Sequence, residues 1–240
     1  MITETTIHSC PDCHSCDLVK NGHTSGGKQQ FRCKACGRTG VLNPSEWYTE
    51  AEKERILAAY FERPSMRGVC RIFGVSRPTL AKWLKDAALA EPDLAPTLAD
   101  AEATDVLELD EVWSFVQRRK NKRWLWVALC RRTRQVVAYA LGDRSEKTCR
   151  KLWEAIPESY RACHTYSDLW EAYRIVFPAE THRCIGKETG LTNHVERWNN
   201  TLRQWVSRYT RKTLSFSKSD RFHDWVTHLF ICRYNKAQAF

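Results

Sequence analysis

The sequence predicts a mixed α/β protein: a sheet domain large enough to hold an active site, preceded by a small cysteine-rich module and a small helical one. Three observations carry this. Two CxxC pairs, Cys10–Cys13 and Cys33–Cys36, fall within the first 36 residues. Residues 49–89 show apolar spacing of helical period, with capping residues and a glycine turn. From residue 106, three runs of β-formers are followed by alternating helix and strand signals. The chain of 240 residues suits one large domain or two to three small ones.

Residues 1–48 read as a zinc ribbon. A CxxC turn puts two thiolates on one side of a bend, so two such turns offer four sulfurs for one tetrahedral Zn²⁺: Cys10, Cys13, Cys33 and Cys36. Val19-Lys20 and Gln30-Phe31 are expected as short strands about a turn at Ser25-Gly26-Gly27. Cys16, His8, His14 and His23 are nearby spare ligands. The other cysteines read as buried free thiols. An odd count of eleven, with no secretion signal at Met1-Ile2-Thr3-Glu4, argues against a disulfide framework.

Residues 49–89 read as a helix-turn-helix. A helix over 49–61 stops at Pro64, a second covers 65–73, Gly74-Val75-Ser76 is the turn, and Ser76 caps a third. Leu80, Trp83 and Leu84 face inward on that third helix, and Arg77, Lys82 and Lys85 face outward as DNA-binding side chains. Residues 90–104 hold two prolines, small residues and only acidic charge, as in a linker.

The third part spans 105–240. Strands are expected at 106–116, 124–129 and 135–141, the last two joined by a short Arg131–Arg134 connection. A helix follows at 145–156, with Thr148 and Lys151 outward. Short strands at 163–167 and 182–185 precede a long helix over 191–209, on which Val195, Trp198, Leu202, Trp205, Val206 and Tyr209 recur at helical spacing as one buried stripe. Three antiparallel strands, a helix, a fourth strand and further helices make the ribonuclease-H-like arrangement. Asp110 sits inside an apolar strand, where an acid is costly unless paired or metal-bound. Asp168 ends a strand, and Glu196 lies on the long helix. Spacing alone does not separate Asp110 from Glu108 or Glu111. Three converging carboxylates suit a pair of Mg²⁺ or Mn²⁺ ions acting on a phosphodiester.

The net charge is +10, but it is uneven: +4 over residues 1–89, −8 over 90–111 and +14 over 112–240. Residues 197–219 carry Arg197, Arg203, Arg208, Arg211, Lys212 and Lys218 and no acid. Such a stretch next to the acids suits a DNA backbone. No run approaches the ~20 apolar residues that span a bilayer, so a cytoplasmic, nucleoid-associated protein without membrane contact is expected. Ten Trp, nine Phe and eight Tyr argue against disorder.

At Leu109-Asp110-Glu111-Val112-Trp113, Tyr166-Ser167-Asp168-Leu169-Trp170 and Val195-Glu196-Arg197-Trp198-Asn199-Asn200-Thr201-Leu202-Arg203 the sequence resembles the insertion sequence 1 family of bacterial transposases. Arg211-Lys212-Thr213-Leu214-Ser215-Phe216-Ser217-Lys218-Ser219 is similar to the family's basic C-terminal block. The ribbon and helix-turn-helix resemble its N-terminal region. The resemblance implies a DDE transposase with Asp110, Asp168 and Glu196 as metal ligands and Arg203 near the DNA end. It implies that the N-terminal modules bind the terminal inverted repeats, and double-stranded DNA as both element end and target. Synapsis of two ends points to a homodimer or larger assembly. Two other classes are a zinc-ribbon/helix-turn-helix regulator without catalysis, and a nonspecific nuclease that cuts without joining.

Overall fold

The computed structural model describes residues 7–24, 27–42 and 48–238. Ser25 and Gly26 of the expected turn, and Met1 to Glu4, lie outside them. The chain forms two compact units, Met1–Ala51 and Glu52–Phe240.

In the first unit, β1 (Leu18–His23), β2 (Gln29–Cys33) and β3 (Thr39–Gly40) form an antiparallel sheet in that order. Each CxxC pair is closed by a tight turn. The His14 N–H donates to the Cys10 carbonyl and the Gly37 N–H to that of Cys33. Gly37 sits at φ 78°, a left-handed geometry that costs glycine little. Among the described residues of this unit only Cys10 and Cys33 are buried.

The helical segment forms as its caps dictate. Helix α1 (Glu50–Tyr60) buries Ile56, Leu57 and Tyr60. Helix α2 (Met66–Phe73) starts where Ser65 accepts from the Gly68 N–H and stops at Gly74, φ 71°. Helix α3 (Arg77–Ala90) starts where Ser76 accepts from the Thr79 N–H, with Pro78 in the first turn, where no N–H is needed. It buries Leu80, Leu84 and Ala88, while Trp83 is only half-buried.

The larger sheet is built from β4 (Val106–Phe115), β5 (Lys122–Cys130) and β6 (Val136–Gly142), all antiparallel. Helices α4 (Glu146–Ala155) and α5 (Glu158–Arg161) lead to β7 (His164–Ser167). Helix α6 (Glu171–Val176) then leads to β8 (His182–Cys184). Strand β7 runs parallel to β4 and β8 parallel to β7, giving the order β6-β5-β4-β7-β8. Helices α7 (Asn193–Trp205) and α8 (Asp220–Gln238) complete the unit.

Leu107, Leu109, Trp126 and Ala128 of the sheet bury one face against Leu152 of α4 and Tyr173 of α6. Thr148, expected outward, is buried and donates to Asp143 Oδ1 at 2.7 Å. The long helix expected over 191–209 ends at Trp205, and a single 3-10 turn covers Ser207–Tyr209. Trp205, placed on the buried stripe by its spacing, is instead 39% exposed with its ring edge on Phe230. The stripe fails there because Trp205 is the last helical residue and the backbone turns extended at Val206.

Helix α8 is the platform for the helical segment. Helix α3 packs on it. Phe61 meets Phe230 at 6.1 Å, and Glu54 pairs with Arg233 at 2.7 Å. Three helices of ~40 residues bury too little apolar surface to stand alone, which favours this docking. The acidic 90–104 stretch is pinned too. Buried Asn235 of α8 accepts from the Val136 N–H, and its amide donates to Val136 O and Thr97 Oγ1. Gln135 donates to Thr97 O and accepts from the Ala99 N–H. Asn235→Ala strands the two Val136 backbone groups without water, so urea unfolding should show a loss of about 2–4 kcal/mol.

Candidate active site

Strand register explains how the acids meet. Glu108 pairs with Tyr166 where β4 and β7 run parallel, and there the pairing ends. Two residues further on lie Asp110 and Asp168, at matching positions where the strands part. The opening lies at the carboxyl end of β7, the usual side for sites in parallel sheets. Carboxylate oxygens of Asp110, Glu111 and Asp168 lie within 4.8 Å of one another.

A cavity of about 340 Å³ opens here, lined by Asp110, Glu111, Asp168, Glu196, Arg203 and Arg211 among others. Glu196 lies on α7, outside the tightest trio, and accepts from Thr192 Oγ1 at 3.3 Å. Burial, then the charges of Glu111, Asp168 and Glu196, push Asp110 up to about 7. That is the signature of carboxylates gathered without a counter-charge. Asn199 donates to Asp110 Oδ2 at 2.8 Å, while its own Oδ1 is buried without a partner. Crowded oxygens and an orphaned acceptor fit a hard divalent cation.

The geometry separates the three acids that spacing could not. Glu108 is fully buried and spent. It accepts from Arg131 Nε at 2.8 Å, from His194 Nδ1 at 2.6 Å, and from the His194 and Val195 N–H groups that open α7. Glu111 accepts from Arg144 Nε at 2.7 Å and from the Tyr173 hydroxyl at 2.9 Å. The Arg144 guanidinium lies 4.0 Å from the Trp170 ring centre and 4.8 Å from that of Trp124. Asp110 has only Asn199 and the adjacent Glu111 N–H. Sequence reasoning left Glu111 open as an alternative to Asp110 and missed the partners Arg144 and Asn199. Only the sheet register and α7 packing bring them together.

Cations are divided between interior and surface. Arg203 shares the cavity with the acids, its Nε is buried without a partner, and burial lowers its pKa. Arg197, Arg211, Lys212 and Lys218 are exposed. Arg208, expected to face DNA, is only 4% exposed. It donates to Ser217 Oγ at 2.7 Å and to the Tyr60 hydroxyl, so it ties α1 to the chain beyond α7 instead of meeting a ligand. On α3, Arg77 is exposed, Lys82 pairs with Asp86 at 2.6 Å, and Lys85 lies 5.7 Å from the Trp225 ring centre.

In the first unit the Cys10, Cys13, Cys33 and Cys36 sulfurs all lie within 4.8 Å of one another. Cys10–Cys36 and Cys13–Cys33 are each 3.6 Å apart. Tetrahedral Zn–S bonds of about 2.3 Å imply sulfurs about 3.8 Å apart, so the set fits zinc. The Cys13 and Asp12 N–H groups draw the Cys10 thiol down to about 7, whereas the neighbouring sulfurs and burial push Cys13 up to about 12 and raise Cys36, so one thiol of the four is drawn towards thiolate. Cys16 lies outside the four.

Residues 104–236 match the family described as IS1 transposase. Insertion element iso-IS1n protein InsB of Shigella dysenteriae is 39% identical over 126 residues, covering 52% of this chain and 93% of the relative. Insertion element IS1 protein InsB of Escherichia coli is 31% identical over 157 residues, 63% of this chain and 92% of the relative. Among solved structures, the Mos1 strand transfer complex has a TM-score of 0.24 at 10% identity over 82% of this chain and 78% of its own. No helix among the described residues is long and apolar enough to cross a membrane.

Proposed function

The chain belongs to the IS1 transposase family, and from that premise we propose that it is a DDE transposase that binds the terminal inverted repeats of its element, cleaves DNA there and joins the freed end to target DNA. The catalytic unit reads as a ribonuclease-H-like domain. The observation that carries the reading is the register match of Asp110 and Asp168 where β4 and β7 part, with Glu196 and Arg203 lining the same cavity. Asp110, Asp168 and Glu196 would hold two Mg²⁺ or Mn²⁺ ions. Such ions, when bound, favour the attacking oxygen and stabilise the leaving one in an in-line displacement.

The protein's own groups do the rest. Asn199 fixes one oxygen of Asp110. Arg144 donates to one oxygen of Glu111 and Tyr173 to the other, so this neighbour of Asp110 is already engaged. Arg203, half desolvated and without a partner at Nε, would take a phosphate oxygen beside the scissile bond. Water first attacks the phosphodiester at the element's end, and the bridging oxygen leaves as a 3′-hydroxyl. That hydroxyl then attacks a target phosphodiester, and the displaced target oxygen leaves in its turn. No covalent protein–DNA bond is needed. The exposed Arg77, Arg211, Lys212 and Lys218 suit duplex backbone. Lys82 and Lys85 join them only by exchanging Asp86 and Trp225 for phosphate, a small cost for exposed pairs. A bound zinc would organise the ribbon, and synapsis of two ends calls for a dimer or larger assembly.

The test is a strand-transfer assay with purified protein, element-end DNA and plasmid target, with and without Mg²⁺. Joined product only with Mg²⁺, lost in Asp168→Asn while end binding persists, is the expected result. Binding without any cleavage would leave a regulator, and cleavage without joining or end preference a nuclease. Joining by Asp168→Asn would refute the assignment.

A further inference from the structure

A second cavity, of about 370 Å³, lies beyond Arg197 and Trp198, two residues of α7 absent from the lining of the acidic cavity. It is lined by Arg134, His194, Arg197, Trp198, Thr201 and Tyr234 among others. None of its described lining residues is acidic. Two of its donors are buried with nothing to donate to. Trp198 is 1% exposed with its Nε1 unpartnered, and Arg134 Nη1 is likewise buried without a partner. A stranded buried donor forfeits its hydration with nothing in return, so two in one cavity ask for an acceptor.

Backbone geometry gives a further sign. Arg134 sits in the turn between β5 and β6 at φ 61°, a left-handed conformation that disfavours a long side chain. Strain of this kind tends to persist at functional sites. Glu108, paired across the sheet with Leu129 of the cavity wall, is already spent on Arg131, His194 and two backbone N–H groups. Both Arg134 and Arg197 lie close enough to Tyr234 to offset part of the rise that burial imposes on its hydroxyl.

We propose that this cavity is a phosphate site, filled by a backbone phosphate of the DNA that the catalytic unit holds. Arg134 and Arg197 supply charge, while Trp198 Nε1 and the Tyr234 hydroxyl supply directed donors. The size suits one phosphate with part of its sugar. The assignment of the phosphate to DNA rests on the transposase reading, whereas the anion chemistry of the cavity does not.

Two measurements on the full chain separate them. In the first, thermal unfolding is followed with inorganic phosphate against chloride at equal ionic strength. Phosphate should raise the wild-type Tm, and Arg134→Gln and Trp198→Phe should lose that rise even though Trp198→Phe lowers the baseline. In the second, affinity for a 30-bp duplex is measured against salt. Each phosphate contact contributes about 0.9 to the slope of log K against log salt, so Arg134→Gln should flatten it by about one. No phosphate-specific rise in wild type overturns the site. A rise with an unchanged duplex slope overturns its assignment to DNA. If wild type binds no duplex but keeps the phosphate rise, the transposase reading fails and the anion site stands.

Discussion

Asp110→Asn should abolish Mg²⁺-dependent cleavage and joining while leaving the fold intact, and Glu108→Gln, two residues away on the same strand face, should do the reverse. The loss for Asp110→Asn should reach at least about 1000-fold in initial rate, the equivalent of about 4 kcal/mol of transition-state stabilisation. Without metal its Tm should match or exceed wild type. The buried Asp110 carboxyl is already pushed up to about 7 by burial and by Glu111, Asp168 and Glu196. A neutral amide ends that repulsion and still accepts from Asn199. Glu108 has no such spare capacity. Four donors from Arg131, His194 and the start of α7 converge on its carboxylate. Removing that charge uncaps α7 and leaves Arg131 short of its partner, at a cost of about 2–4 kcal/mol in urea unfolding. Because α7 carries Glu196 and Asn199, any activity lost in Glu108→Gln should return in part on cooling. An Asp110→Asn enzyme with near-normal joining would transfer the metal role to Glu111.

That contrast marks how far the sequence could be read. The strands around Asp110 and Asp168 follow from runs of β-formers, and the caps of α2 and α3 from Ser65, Gly74 and Ser76, because each depends on neighbours within a few residues. Glu108, Asp110 and Glu111 look alike by the same local rules. They differ through groups 33 to 89 residues away, such as Arg144, Tyr173, Val195 and Asn199. Arg208 shows the same limit from the other side. Its position in an acid-free basic stretch suggested solvent and DNA, yet Tyr60, 148 residues earlier, draws it inside. A polar side chain's partner is a tertiary fact. Periodicity reports which face is apolar, not which buried carboxylate or guanidinium finds a mate there. Trp205 failed differently: the stripe was real, but the helix ended at that residue.

Removing zinc should unfold the first unit alone. Among its described residues only Cys10 and Cys33 are buried, so its strands have almost no apolar core to hold them. A four-sulfur site is worth on the order of 10 kcal/mol in folding free energy, far more than such a core could supply. Metal analysis should give one zinc per chain, and Cys33→Ser or a strong chelator should lower that towards zero. Limited proteolysis should then cut within residues 7–42 while a fragment covering 52–238 survives. That unit has its own core around Trp126, Leu152 and Tyr173, so its unfolding transition should survive the chelator. End-specific binding should fall with the zinc, whereas Mg²⁺-dependent nicking of nonspecific duplex at high protein concentration should persist, because no cysteine lines the acidic cavity. If the chelated protein resists protease within 7–42 as well as the untreated one, something other than a metal holds the four sulfurs together. If nicking disappears together with end binding, the ribbon does more than recognise DNA.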